Sequence, residues 1–193
     1  KFSGFRTLKI TIVMHIRELF SLENKVALVT GGSGLYGKCI VEGLAEAGAL
    51  VIASSRSITS AEETAGFFRQ AGLNVHPLAL DQGSAESVKA ADQAIRSQFG
   101  RLDIFVNNAV LRPMKGFRAP IEQFAESMQV NATGMMDLLR TMSDLIVESG
   151  GGSVINIASM MGMKGPDLSN YEGTSMGDLP PDYFFHNAGL INL

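Results

Sequence analysis

The stretch Thr30-Gly-Gly-Ser-Gly-Leu-Tyr-Gly37 could do chemistry with its backbone. Its glycines at Gly31, Gly34 and Gly37 are spaced G-x-x-G-x-x-G, after an apolar run and before a helical pattern. Amides exposed at such a helix start suit a dinucleotide pyrophosphate. In that reading Gly31 permits the tight turn, Gly34 lets the phosphates approach, and Gly37 lets the helix pack on the strand. About twenty residues on, where an acid would hold the ribose of NAD, stand Ser54, Ser55 and Arg56. No carboxylate there repels a 2′-phosphate and Arg56 can pair with one, so NADP is the expected cofactor, with NAD as the alternative. His15, His76, His186 and the single Cys39 have no metal-ligand spacing, and no metal site is expected.

The turn serves this purpose only if a strand delivers it and a helix receives it. Residues 26–30 (VALVT) read as a buried strand, and over 36–47 the apolar Ile40, Val41, Leu44 and Ala47 recur at helical spacing. Strands follow at 50–53, 75–80, 104–106 and 153–158. Between them come helices over 60–70, from a Ser84 cap to Phe99, and over the long pattern 121–147. Strands separated by helices require right-handed parallel crossovers, hence an α/β fold with an open, doubly wound parallel sheet.

Composition narrows the class. The 193 residues carry 16 Lys and Arg against 19 Asp and Glu, a net charge of −3, which argues against a nucleic-acid partner. With 46% hydrophobic residues the chain can build one sizeable core. No apolar run reaches the roughly 18 residues of a membrane span, so no membrane partner is expected. One cysteine fits a reducing compartment, and a cytoplasmic location is expected. Residues 14–193 read as a single domain. Residues 1–13, basic and apolar without periodicity, read as a leader outside the fold, either upstream sequence or a targeting peptide. Leu193 stops inside an apolar pattern, which suggests a C-terminal truncation.

Four further segments, in order, carry a resemblance. Asp81 follows the third strand, Asn107-Asn108-Ala109-Val110 follows the fourth, Asn131 lies in Val-Asn-Ala-Thr-Gly, and Ser159 follows Ile-Asn-Ile-Ala. From about Leu22 onward the chain resembles the short-chain dehydrogenase/reductase family. The resemblance implies a Rossmann-type sheet and hydride exchange between nicotinamide and a secondary alcohol or ketone. It also implies a nucleotide site formed by Gly31, Ser33, Gly34, Leu35, Tyr36, Gly37, Ser55, Arg56, Asp81, Asn108 and Ala109, with Asp81 meeting the adenine amino group. Asn131 and Ser159 match the family's active-site Asn and Ser. Val110 replaces a family Gly, and the glycine spacing is that of the nucleotide-sugar epimerase branch, which leaves an epimerase-like activity as an alternative.

The family's acid/base is a tyrosine followed four residues later by a lysine, which shares its helix face and stabilises the phenolate. Tyr171 lies twelve residues after Ser159, but Tyr171-Glu-Gly-Thr-Ser175 reads as loop. Tyr183 is preferred, because Phe184 to Leu193 resembles the helix after the family tyrosine. Residues 160–182 then become an enlarged loop over the site. This alignment puts Asn187 in the lysine position, where it carries no charge. A catalytically impaired nucleotide-binding homologue is therefore a second reading, and His186 is expected to be a packing residue. The Tyr-Glu-Gly-Thr-Ser-Met run resembles gluconate 5-dehydrogenase-like, oxoacyl-carrier reductase-like and flagellin-sugar-modification oxidoreductases, hinting at a sugar-like small-molecule substrate. Complete family members continue with further strands and form dimers or tetramers, so a homo-oligomer is expected. Without those strands, the fifth strand would be an exposed edge.

Overall fold

The structure, a computed structural model, describes residues 15–174 and 180–193. The expected leader, 1–13, lies outside the described residues, as do Ser175 and Met176 of the loop motif. Short helix α1 (Ile16–Leu19) is capped by His15. The chain then alternates β1 (Val26–Val29), α2 (Leu35–Glu46), β2 (Leu50–Ser55), α3 (Ile58–Gln70), β3 (Val75–Ala79), α4 (Ala85–Phe99) and β4 (Ile104–Asn107). Helices α5 (Ile121–Met128) and α6 (Met135–Glu148) precede β5 (Ser153–Asn156), and α7 (Pro181–Leu190) follows two short 3₁₀ turns.

All strand pairs are parallel, in the order β3-β2-β1-β4-β5. Along β1 the side chains alternate between two cores. Val26 and Leu28 pack with Val88, Ile95, Leu138 and Met142 of α4 and α6. Ala27 and Val29 pack with Val41, Ala45, Ala65 and Phe68 of α2 and α3. Both faces of the sheet are thus covered, and burying each large side chain contributes roughly 1.5–3 kcal/mol. Ser57 and Ser84 cap α3 and α4 through their side-chain oxygens, while Gly100 ends α4 at φ 72°.

Chain order reverses between β1 and β4, so their C-terminal ends open a crevice where ligands bind in such sheets. Among the described residues the outer strand β5 pairs only with β4, and Val154 and Ile155 are 40% and 44% exposed. The long helical pattern expected over 121–147 is helical throughout, with a π-helical segment, Gln129–Gly134, between α5 and α6. Its cause is local. Gly134 lies so close to the Gln82 carbonyl that a Cβ would meet that oxygen at 2.0 Å, while the Asn131 side chain turns inward to bond the backbone of Leu111.

Candidate active site

The glycine turn is braced from the neighbouring strand. Thr30 Oγ1 accepts the N–H groups of Asn108 and Ala109, both at 2.9 Å. Asn108 Nδ2 donates to the carbonyl oxygens of Thr30 at 2.9 Å and Gly31 at 3.4 Å. Gly31 adopts φ +63°, a conformation that L side chains rarely take. A Cβ on Gly37 would stand 2.0 Å from the Gly31 oxygen, so only glycine lets α2 begin this close to the turn. Ser33 Oγ donates to the Ser60 carbonyl and accepts from Thr64 Oγ1, fixing the turn to α3.

These elements enclose a cavity of about 460 Å³. Gly31, Ser33, Gly34, Leu35, Tyr36, Gly37, Ser55, Arg56, Asp81, Asn108 and Ala109 all line it. Asp81 Oδ1 accepts the Gly83 N–H at 2.9 Å, which orients the carboxylate and leaves its other oxygen free of hydrogen bonds among the described residues. Asp81 is the lone acidic residue on the wall among the described residues, and Arg56 stands exposed at its rim. A helix start, an Asn-held turn and a space that a single Cβ would close fit the diphosphate of a dinucleotide.

A second cavity of about 500 Å³ opens from the first, sharing Tyr36, Gln82, Asn108, Ala109, Val110 and Arg112. Asn131, Ser159, Tyr183 and Asn187 line it together. Asn131 Nδ2 donates to the Leu111 carbonyl at 2.6 Å and to Ser127 Oγ at 3.0 Å, and its Oδ1 accepts the Leu111 N–H at 2.9 Å. It therefore holds the loop after β4 against the π segment. Ser159 Oγ accepts the Met161 N–H at 3.2 Å and keeps its own proton to donate. Asn187 is buried, and its Nδ2 donates to the Tyr183 carbonyl at 2.8 Å, one turn back on the same helix.

Tyr183 sits in the first turn of α7, and the Arg112 guanidinium lies 5.6 Å from its ring centroid. Tyr171 ends the 3₁₀ turn Leu168–Tyr171 and lines neither cavity. His186 lines the inner cavity, and burial holds its imidazole below the ordinary histidine value while the facing Asp182 pulls the other way. It therefore supplies no positive charge near pH 7 in place of the lysine.

Three wall residues escaped the reading of the sequence. Among the described residues Arg112 is the only Lys, Arg, Asp or Glu on the inner cavity wall, and its guanidinium makes no ion pair with any of them. A basic residue just past a strand end at the switch point was the available signal. Gln82, next to Asp81, donates through Nε2 to the carbonyls of Ala109 and Val130 and so joins the two cavities. Met135 is placed on the wall by the π segment, which no local pattern announces.

Comparison with known proteins agrees with this geometry. The family profile described as short chain dehydrogenase matches residues 25–177. The 3-oxoacyl-acyl-carrier-protein reductase FabG of Vibrio cholerae is 35% identical over 159 residues, covering 81% of this chain. The chain spans 64% of that relative's length. Among solved structures, a gluconate 5-dehydrogenase of Burkholderia cenocepacia in complex with NADP and tartrate superposes with a TM-score of 0.79 at 25% identity, covering 91% of this chain and 65% of the other. An NAD+-bound xylitol dehydrogenase superposes with a TM-score of 0.75 at 26% identity, covering 88% and 62%.

Proposed function

Because the chain belongs to the short-chain dehydrogenase family, we propose that its joined cavities serve an NADP-preferring oxidoreductase that interconverts a secondary alcohol and a ketone. One observation carries this reading. The wall of the outer cavity gathers the glycine turn, Arg56 and Asp81, and opens directly into a chamber holding Ser159 and Tyr183. The solved neighbours were captured with NAD+ and with NADP, and the Ser55-Arg56 pair in place of an acid favours the phosphorylated form.

In this reading the amides at the start of α2 and the Asn108-held turn hold the diphosphate, Arg56 pairs with the 2′-phosphate, and Asp81 receives the adenine amino group. The bound nicotinamide supplies or takes up the hydride. Ser159 donates its hydroxyl proton to the substrate oxygen and polarises the carbonyl. Tyr183 gives that oxygen a proton in reduction and accepts one in oxidation. Asn131, with both amide protons committed, offers its remaining Oδ1 lone pair to a relay water. Hydroxyl and amide groups around the inner cavity, together with the xylitol and gluconate enzymes among the neighbours, favour a polyhydroxylated substrate.

Asn187 favours a second reading, a nucleotide binder with little turnover. Its amide is bonded to its own helix and carries no charge toward the phenol. Parallel fluorescence titrations with NADPH and NADH test the cofactor site. Saturable binding, tighter for NADPH and reduced to the NADH level in Arg56→Ala, is the expected result, and absence of binding by folded protein overturns it. Asn187→Lys then separates the two readings. A gain in carbonyl reduction over a panel of polyhydroxy ketones supports the enzyme with Tyr183 as its acid, while unchanged binding without turnover supports the second.

A further inference from the structure

Arg112 stands where the two cavities join, on the wall of both. Its side chain is exposed and has no hydrogen-bond or ion-pair partner among the described residues. The guanidinium lies 5.6 Å from the centroid of the Tyr183 ring. A guanidinium stacked on an aromatic face keeps the N–H groups of its edge, so this contact orients the fork without using up its donors. The backbone beneath it is held on both sides. Asn131 bonds the N–H and the carbonyl of Leu111, Pro113 disfavours a helical backbone at Arg112, and Met114 is buried.

Around this cation the wall is neutral and the approach is positive. Among the described residues the other polar groups of the inner wall are amides, hydroxyls and the His186 imidazole, which burial keeps neutral near pH 7. Residues 108–120 carry Arg112, Lys115 and Arg118 and no acid, although the net charge of the chain is −3. None of these three cations is ion-paired among the described residues. Such a loop draws anions toward the mouth of the chamber. A planar guanidinium fork matches a carboxylate, which accepts two parallel N–H bonds from it.

We infer that Arg112 determines specificity in the inner chamber, and that the substrate it selects is a short polyhydroxy carboxylic acid. This inference rests on the proposed function and narrows its polyhydroxylated substrate to one that bears a carboxylate. Arg112 holds the carboxylate, while Tyr183 and Ser159 hold the reacting oxygen. The phenol oxygen of Tyr183 lies one ring radius and one C–O bond from the centroid that Arg112 covers, so the two ends of the substrate are only a few bonds apart. The dinucleotide does not need this arginine. Its phosphates go to the amides of the glycine turn and to Arg56, and Tyr183, over which Arg112 lies, lines the inner cavity and not the outer one.

Calorimetric titration of the full chain, with and without saturating NADP+, compares aldonates from glycerate to gluconate with the alditols of the same length and configuration. Each alditol carries CH₂OH in place of the carboxylate. At least one aldonate is expected to bind about tenfold or more tightly than its alditol, the effect of a charge-assisted pair. Added salt should reduce this preference, because Arg112 is exposed. Arg112→Gln should abolish the preference and leave the alditol and NADP+ dissociation constants unchanged. Arg112→Lys, which keeps the charge and loses the fork, should retain part of it. Neither change removes an ion pair among the described residues, and far-UV circular dichroism checks that both variants fold. Aldonates that bind no better than alditols, aldonates that do not bind, or a preference that survives Arg112→Gln overturns the inference. A loss of NADP+ affinity in Arg112→Gln as large as the loss of aldonate affinity assigns the arginine to the nucleotide and overturns it as well. A wild-type chain that shows the Arg112-dependent preference but binds no NADP+ overturns the proposed function alone.

Discussion

Two glycine-to-alanine changes six residues apart on α2 should act in opposite directions. At Gly37 the added Cβ falls 2.0 Å from the Gly31 oxygen, 2.8 Å from the Gly31 carbonyl carbon and 2.9 Å from Gly32 Cα. All three are backbone atoms, and the first contact is about 1.4 Å short of ordinary van der Waals distance. The turn cannot simply yield, because the same oxygen accepts the Gly34 N–H at 2.9 Å and the Asn108 amide at 3.4 Å. Overpacking of this kind costs about 3 kcal/mol, the upper end of the usual range. At Gly43 nothing lies within 4 Å of the new Cβ, and alanine in a helix interior gains about 0.5–1 kcal/mol over glycine. The two variants should therefore differ by about 3–4 kcal/mol. Urea unfolding followed by far-UV circular dichroism, with a slope of about 2 kcal/mol/M, would separate their midpoints by roughly 1.5–2 M. Gly37→Ala should also lose at least tenfold in NADPH affinity where it remains folded, since the displaced atoms belong to the phosphate turn. Midpoints that coincide, or a Gly37→Ala chain that binds NADPH normally, would refute the packing argument.

Three other perturbations test separate parts of the structure. Asp103 is 2% exposed and accepts hydrogen bonds from Arg101 and from the Val26 N–H; burial pushes its carboxyl up, but these bonds and the charges of Arg101 and Lys25 hold it below the usual value. Its contribution is present above about pH 4 and disappears as pH falls through the lowered value, so Asp103→Asn should cost about 1–2 kcal/mol at pH 7 and nothing near pH 2, read from urea midpoints at each pH. Asn131→Ala removes all three bonds between the π segment, Leu111 and Ser127, and should speed hydrogen exchange at the Leu111 amide at least tenfold; unchanged protection would show that the loop is held by other means. Ser159→Ala should leave nucleotide Kd unchanged while lowering carbonyl reduction by about 10²-fold in a chain carrying Asn187→Lys, and equal turnover would remove Ser159 from the site.

Much of the fold is legible because its signals are local. Apolar runs separated by amphipathic stretches give the strands and helices, and the serines at positions 57 and 84 accept the amides that begin α3 and α4. The edge position of β5 follows from strand order, and Ile157 just beyond it remains 41% exposed. The chain is helical over 121–147 as its periodicity predicts, but the π segment within is not legible, because the apolar spacing continues through it and its causes, the Gln82 carbonyl and the Leu111 backbone, are remote in sequence.

By itself the amino-acid order determined the turn around Gly31 and Gly37, the absence of an acid at Arg56, and the placing of Asn187 where a charge was expected. Those features depend on residue type, backbone freedom and short spacing. Tertiary structure decided which tyrosine lines the same cavity as Ser159, how Arg112 comes to stand over Tyr183, and that Asp182 and His186 are buried together. Exposure and facing partners set the chemistry of those side chains, and both arise only when α7 packs against α5 and the π segment, from parts of the chain some fifty residues away.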